Sequence, residues 1–153
     1  MEPNVPPFVF LNYMTTRQAI PIVLGLAAVV FIFGRPRASG PQAGWYTDFS
    51  QASAESQKTG HLMMVDFNAS WCGPCQQYKQ EVFPSDDFKK ATKDVILVDI
   101  DLDKNPGTAE KYKIATIPDI RFFSPNGKQV GSLVGYDGPS LFAEIAKAKG
   151  TLR

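Results

Sequence analysis

The chain has only two cysteines, Cys72 and Cys75, and they stand three positions apart between an apolar run of strand length and a stretch of helical composition. Two thiols are too few to complete a tetrahedral zinc site, and this spacing is too short to staple a small domain. The residues around the pair must therefore give a strand, a tight turn and a helix start, in that order. Trp71 precedes the turn, and Gly73 and Pro74 fill it. A sulfur at a helix start meets unpaired backbone N–H groups and the positive end of the helix dipole, which favour the thiolate that attacks disulfides. Cys75, one helical turn on, is placed to resolve the mixed disulfide left by such an attack. The alternative is an inert buried pair, since free cysteine is among the most buried residue types. The Gly-Pro insert and the strand-turn-helix setting argue against it. The redox compartment stays open, because a dithiol of this spacing is useful in reducing and oxidising spaces alike.

A redox pair needs a rigid frame, and 153 residues allow one ordinary domain plus an appendage. With 44% hydrophobic and 20% charged residues, the chain can build a core without staples. Sixteen basic and fifteen acidic side chains leave a formal charge of +1, so there is no basic footprint for nucleic acid and no general pull toward anionic lipid.

The appendage is N-terminal. Residues 19–34 read AIPIVLGLAAVVFIFG, sixteen uncharged residues flanked by Arg17 and by Arg35 and Arg37. A spanning helix needs about 20 apolar residues and no fewer than roughly 17, so length leaves two readings open, an uncleaved transmembrane anchor and a secretory signal. Arg35, Pro36 and Arg37 stand where small uncharged residues should prepare a cleavage site, which favours the anchor. Pro21 falls in the first turn, where it is tolerated. Residues 1–18 then form a Pro-rich, aromatic tail at the interface, and residues 35–44 (RPRASGPQAG) a linker. The arginine count, two after the run against one before, would by itself keep the C-terminal part in the cytoplasm.

The folded domain is expected over residues 45–153. Residues 45–58 suit an amphipathic helix ended by Gly60, and residues 62–67 (LMMVDF) a strand interrupted by the single carboxylate of Asp66. Residues 76–83 are helical in composition until Pro84, and Ser85 can start a further turn to about Ala91. Residues 95–102 (VILVDIDL) are a second strand, residues 108–112 a short helix, and residues 120–123 and 129–134 two strands joined by a turn containing Asn126-Gly127. Pro139 and Ser140 open a last helix to about Lys149. The order α, β, α, β, α, β, β, α predicts an α/β fold with a mixed sheet and helices on both faces.

VDFNASWCGPC (65–75), NPGTAEKYKIATIPD (105–119) and the later NGK and VGY resemble the thioredoxin family, in the right order and spacing over nearly all of residues 45–149. The resemblance implies the thioredoxin fold and protein-disulfide reductase chemistry. Cys72 is then the attacking and Cys75 the resolving thiol, Trp71 covers the site, and Gly73 and Pro74 shape the loop between the sulfurs. Asp66 matches the family's buried carboxylate, a base toward the second thiol; an acid in so apolar a strand should have a raised pKa. Pro118 matches the cis-proline opposite the disulfide, with Ile117 offering its backbone to an extended substrate, and Gly135 falls on the substrate-binding face. Asp99 stands where the family commonly carries a lysine near the buried acid. Two readings of it are open: an acid that pushes the titration of Asp66 upward and tunes the proton step, the two sharing a proton as coupled sites rather than forming an ion pair, or a solvated acid beside Asp101 and Asp103. Asp119 places a second unusual charge near the groove. His61 is isolated, so no metal site is expected.

The resemblance implies no cofactor beyond the Cys72–Cys75 disulfide. It implies disulfide-containing protein substrates and an upstream electron donor, such as a membrane thiol transporter. Similarity to thioredoxins tethered on the outer side of bacterial or thylakoid membranes implies a single-pass membrane protein with an extracytoplasmic domain, periplasmic or lumenal, against the arginine count. The competing functional reading is a non-catalytic thioredoxin-fold subunit or assembly factor that binds a membrane protein. A cytosolic thioredoxin with an accidental leader is a third, disfavoured by the length and purity of the apolar run.

Overall fold

The computed structural model describes residues 42–152. The expected tail, anchor and linker, up to residue 41, lie outside the described residues, and no helix among those described is long and apolar enough to cross a membrane.

Helix α1 spans Phe49–Thr59. Asp48 caps it by accepting the N–H of Gln51 at 2.8 Å, and Gly60 ends it at φ +73°, a left-handed conformation that L side chains rarely adopt. The helix begins four residues later than the apolar spacing suggests, because Trp45 and Tyr46 are engaged elsewhere. Tyr46 bridges to Val98 at the sheet edge, and Trp45 stacks against Phe83 and Phe88 with centroids 4.8 and 6.0 Å apart. Gln42, assigned from sequence to the linker, already bonds to the domain, its N–H donating to Asp99 Oδ2 at 3.2 Å.

Strand β1 (Leu62–Asn68) is buried at every position because it is central. It pairs in parallel with β2 (Val95–Asp101) and antiparallel with β3 (Asp119–Phe123), which pairs antiparallel with β4 (Gln129–Val134). The strand order is β2-β1-β3-β4, a mixed sheet with helices on both faces, as the sequence order of elements predicts. Between β1 and β2 run α2 (Gly73–Gln77), a π-helical turn (Tyr78–Val82) and α3 (Asp86–Ala91). Ser85 separates the last two, its Oγ donating to the Val82 carbonyl at 2.6 Å and accepting the N–H of Phe88 at 3.2 Å. The short α4 (Thr108–Lys111) follows β2, and α5 (Gly138–Gly150) closes the domain, capped by Asp137.

Side chains alternate along the strands, so one β1 sequence supplies two cores. Leu62 and Met64 pack with Tyr78, Val82, Phe88, Leu141 and Ile145, under the π turn, α3 and α5. Met63, Val65 and Phe67 pack with Val98, Ile100, Phe123 and Ala52, under α1. Asp66 and Asn68 are in phase with Leu62 and Met64, so both polar groups are carried onto the first face.

Candidate active site

Cys72 is the N-cap of α2, with extended backbone (φ −78°, ψ 103°), and its Sγ accepts the N–H of Cys75 at 3.3 Å. The two cysteines are joined in a disulfide, with Cα atoms 5.3 Å apart. Pro74 lies in the first turn of the helix, where its missing N–H costs nothing. A side chain at Gly73 would meet open space, so the inter-sulfur loop is bounded on one side only. Cys75 is fully buried and Cys72 is 4% exposed, so an incoming group reaches Cys72 first. Trp71 is 72% exposed, its indole N–H pointing at Asp103 Oδ1 from 3.4 Å.

One other segment packs on the cysteines, and a second braces it. Ile117 packs against Ala69, Cys72 and Cys75, and the Ile117–Pro118 bond is cis. The Pro118 carbonyl accepts the N–H of Gly135 at 2.8 Å, and Gly135 holds φ +88° to make that approach. The Tyr78 hydroxyl braces this loop from below, accepting the N–H of Asp137 at 2.8 Å and lying 3.1 Å from its carbonyl. Val134 and Tyr136 flank Gly135 and are exposed, which leaves an apolar rim beside the redox pair.

Beneath the pair lies a buried polar cluster. Asp66 is completely buried, and its carboxyl pKa is pushed up to about 8, first by loss of solvent and then by the charge of Asp99; Lys79 and a hydrogen bond from Asn68 oppose the rise. Register in the parallel pair sets Asp66 beside Asp99. The Lys79 Nζ donates to Asp99 Oδ2 at 2.8 Å and to Asn68 Oδ1 at 3.0 Å. The Asn68 amide N–H groups reach Asp99 Oδ1 at 2.7 Å and Asp66 Oδ2 at 3.2 Å.

This geometry corrects the reading of Asp99 as a solvated acid and keeps the one in which its charge pushes the titration of Asp66 upward. Asp99 is 3% exposed rather than solvated. The Asn68 amide stands between the two carboxylates, and Asp99 makes an ion pair with Lys79 that the sequence did not foretell. The lysine that the resemblance placed on β2 is replaced by one arriving from the helix opposite. Asp119, expected as a charge near the groove, is likewise buried and neutralised by a two-pronged pair with Arg121 at 2.8 and 3.0 Å. His61 lies half-buried at the start of β1, and among the described residues no group of three His, Cys, Asp or Glu side chains is arranged to hold a metal.

Three contributors escaped the sequence reading: Asn68, Tyr78 and Lys79. Asn68 had a signal, standing two residues after Asp66 and hence on the same face of the strand. Lys79 had a weaker one, one helical turn beyond Cys75 and so on the cysteine's side of the helix.

A family model described as Thioredoxin matches residues 47–147. The chain is 36% identical over 103 residues to the thioredoxin of Geodia cydonium, covering 67% of this chain and 92% of that one. It is 33% identical to a Staphylococcus aureus thioredoxin over 98 residues, 63% of this chain and 89% of the relative. It is also 35% identical over 106 residues to the thiol:disulfide interchange protein DsbD of Pseudoalteromonas atlantica, covering 65% of this chain but 18% of that protein. Among solved structures, Trichomonas vaginalis thioredoxin superposes with a TM-score of 0.56 at 31% identity, over 67% of this chain and 93% of that one. Poplar thioredoxin h gives 0.58 at 26%, over 64% and 85%. With the disulfide at a helix start and the buried acid beneath it, these likenesses establish that the chain belongs to the thioredoxin family and is a thiol-disulfide oxidoreductase.

Proposed function

We propose that this protein is a membrane-tethered disulfide reductase of extracytoplasmic proteins, with Cys72 as the attacking and Cys75 as the resolving thiol. The observation that carries the exchange chemistry is the asymmetry of the pair: Cys72 caps the helix and is the more accessible, while Cys75 is fully buried one turn behind. In the reduced form the Cys72 sulfur is placed where helix N–H groups favour its anion. That anion attacks a substrate disulfide, and Cys75 then displaces the substrate from the mixed disulfide. The apolar rim of Trp71, Val134 and Tyr136 suits an unfolded or loop-borne protein disulfide better than a small polar one.

The tether and its side of the membrane rest on the sequence, on the uncharged run at 19–34 with its flanking arginines. Likeness to one portion of a thiol:disulfide interchange protein supports a place in a relay, in which a membrane thiol donor re-reduces the Cys72–Cys75 disulfide. The full chain should accelerate reduction of insulin disulfides by dithiothreitol, and Cys72→Ser should run at the uncatalysed rate. Equal rates for the two would end the enzyme reading and leave a binding subunit. Fractionation of cells expressing the full chain, with protease added from outside, checks the tether and its orientation: recovery in the soluble fraction would remove the first, and protection from protease in intact spheroplasts the second.

A further inference from the structure

A lysine whose side chain is 5% exposed must be held by partners, since an ammonium without them would not stay out of water. Lys79 has two, Asp99 at 2.8 Å and the Asn68 side-chain oxygen at 3.0 Å. The second bond decides which way the Asn68 amide faces. With its oxygen on the cation, its NH2 group turns to the acids and donates to both, at 2.7 Å to Asp99 and 3.2 Å to Asp66. The opposite orientation would set the amide oxygen against two carboxylates and the NH2 against an ammonium. Asp99 is further fixed by the Gln42 N–H. One Asp66 oxygen is thus held, and the other, Oδ1, is buried with no donor among the described residues. In a buried network so fully spoken for, the single free acceptor is where a proton can be delivered.

We propose that Lys79, Asn68 and Asp99 are positioning residues for the proton step of exchange: they pin Asp66 through Oδ2, keep Oδ1 free as the acceptor of the Cys75 proton, and set the proton affinity of Asp66 by opposed charges. This rests on the reading of Cys72 and Cys75 given above. Once the Cys72 thiolate has displaced one substrate thiolate, the Cys75 thiol gives its proton to Asp66 Oδ1 and its sulfur attacks Cys72 Sγ. The Cys72–substrate bond breaks, and its electron pair leaves on the second substrate thiolate, which takes up a proton. The protein dithiol is oxidised to a disulfide, and the substrate disulfide gains the two electrons. The charged and titratable groups around Asp66 come from three elements: Asp99 on β2, Lys79 and Tyr78 on the π turn, and Asp119 on β3. Asp99 and Lys79 act on Asp66 in opposite directions, so removing them one at a time should give opposite results, which a merely structural role would not.

The test uses the reduced full chain mixed with an aromatic disulfide that releases a coloured thiolate at each step, so that the fast phase reports attack by Cys72 and the second phase resolution by Cys75. The midpoint of the second phase against pH should rise by about one unit in Lys79→Met and fall by about half a unit or more in Asp99→Asn. Circular dichroism establishes that each variant is folded. If Lys79→Met does not fold, Asp99→Asn, which keeps the shape of the site, decides alone: a lowered midpoint supports the proposal, and an unmoved or raised one overturns it. Midpoints unmoved, or moved in the same direction in both variants, also overturn it. An absent fast phase in the wild-type chain would instead refute the function on which the proposal rests.

Discussion

On one face of the sheet, Asp119 and Arg121 stand two residues apart on β3 and meet in a two-pronged pair, with the guanidinium also donating to the Tyr112 carbonyl at 2.7 Å and lying over the Phe67 ring. On the other face, Asp66 and Asp99 share one cation, Lys79. The first face matches its acid with a cation of its own, whereas the second has two acids to one cation, so Asp66 keeps its proton until the pH approaches 8. Both arrangements are buried, and both hang on the same alternating strands. The acid left over lies in the cluster held by Lys79, on the π turn that continues the helix of the redox pair, where a carboxyl able to change protonation near neutral pH has a use. On the opposite face, under α1, the buried acid is held by its own arginine.

The comparison can be broken by removing the surplus acid from the second face. Asp66→Asn should have one of the two largest effects on stability, and the one in the stabilising direction. The folded-state pKa of Asp66 is raised to about 8 from 3.8, so its contribution is fully present below about pH 4 and is lost as pH rises toward 8. The substitution should therefore stabilise the protein by about 4 kcal/mol at pH 7 and by little at pH 4. Urea denaturation at the two pH values checks this, and an equal difference at both would refute it. Lys79→Met comes next: it strands Asp99 beside Asp66, and breaking a buried pair from one side costs roughly 3 to 5 kcal/mol. The matching change on the other face, Arg121→Met, should cost less, about 1 to 3 kcal/mol, because the Arg121 side chain is 16% exposed and water can reach the acid it leaves. Parallel urea curves for the two variants sharpen the contrast, and a larger loss for Arg121→Met would invert it. Smallest is Tyr78→Phe, which removes the hydroxyl beneath the Gly135 loop and should cost about 1 kcal/mol in thermal unfolding.

Local patterns were enough to place most of the fold. LMMVDF and VILVDIDL could be read as strands, the Asn126-Gly127 turn as a hairpin, and Gly60 and Ser85 as helix boundaries, because each signal lies within a few residues. Trp45 misled, since apolar spacing could not show that it and Tyr46 serve opposite sides of the sheet. The helix-start setting of Cys72 and Cys75 was legible for the same local reason. The surroundings of Asp99 were not. They depend on the register that sets it beside Asp66, and on Lys79, which in QQYKQEV looks like one more solvated charge until the sheet beneath that helix is known.

The surplus acid is tested most directly by following the Asp66 carboxyl carbon by NMR through a pH titration of the oxidised protein, with Asp66→Asn to assign the signal. A midpoint near 8 is the expected result. A midpoint near 4, that of an ordinary aspartate, would mean that the second face is as well compensated as the first, and that the redox pair sits over no proton acceptor poised near neutrality.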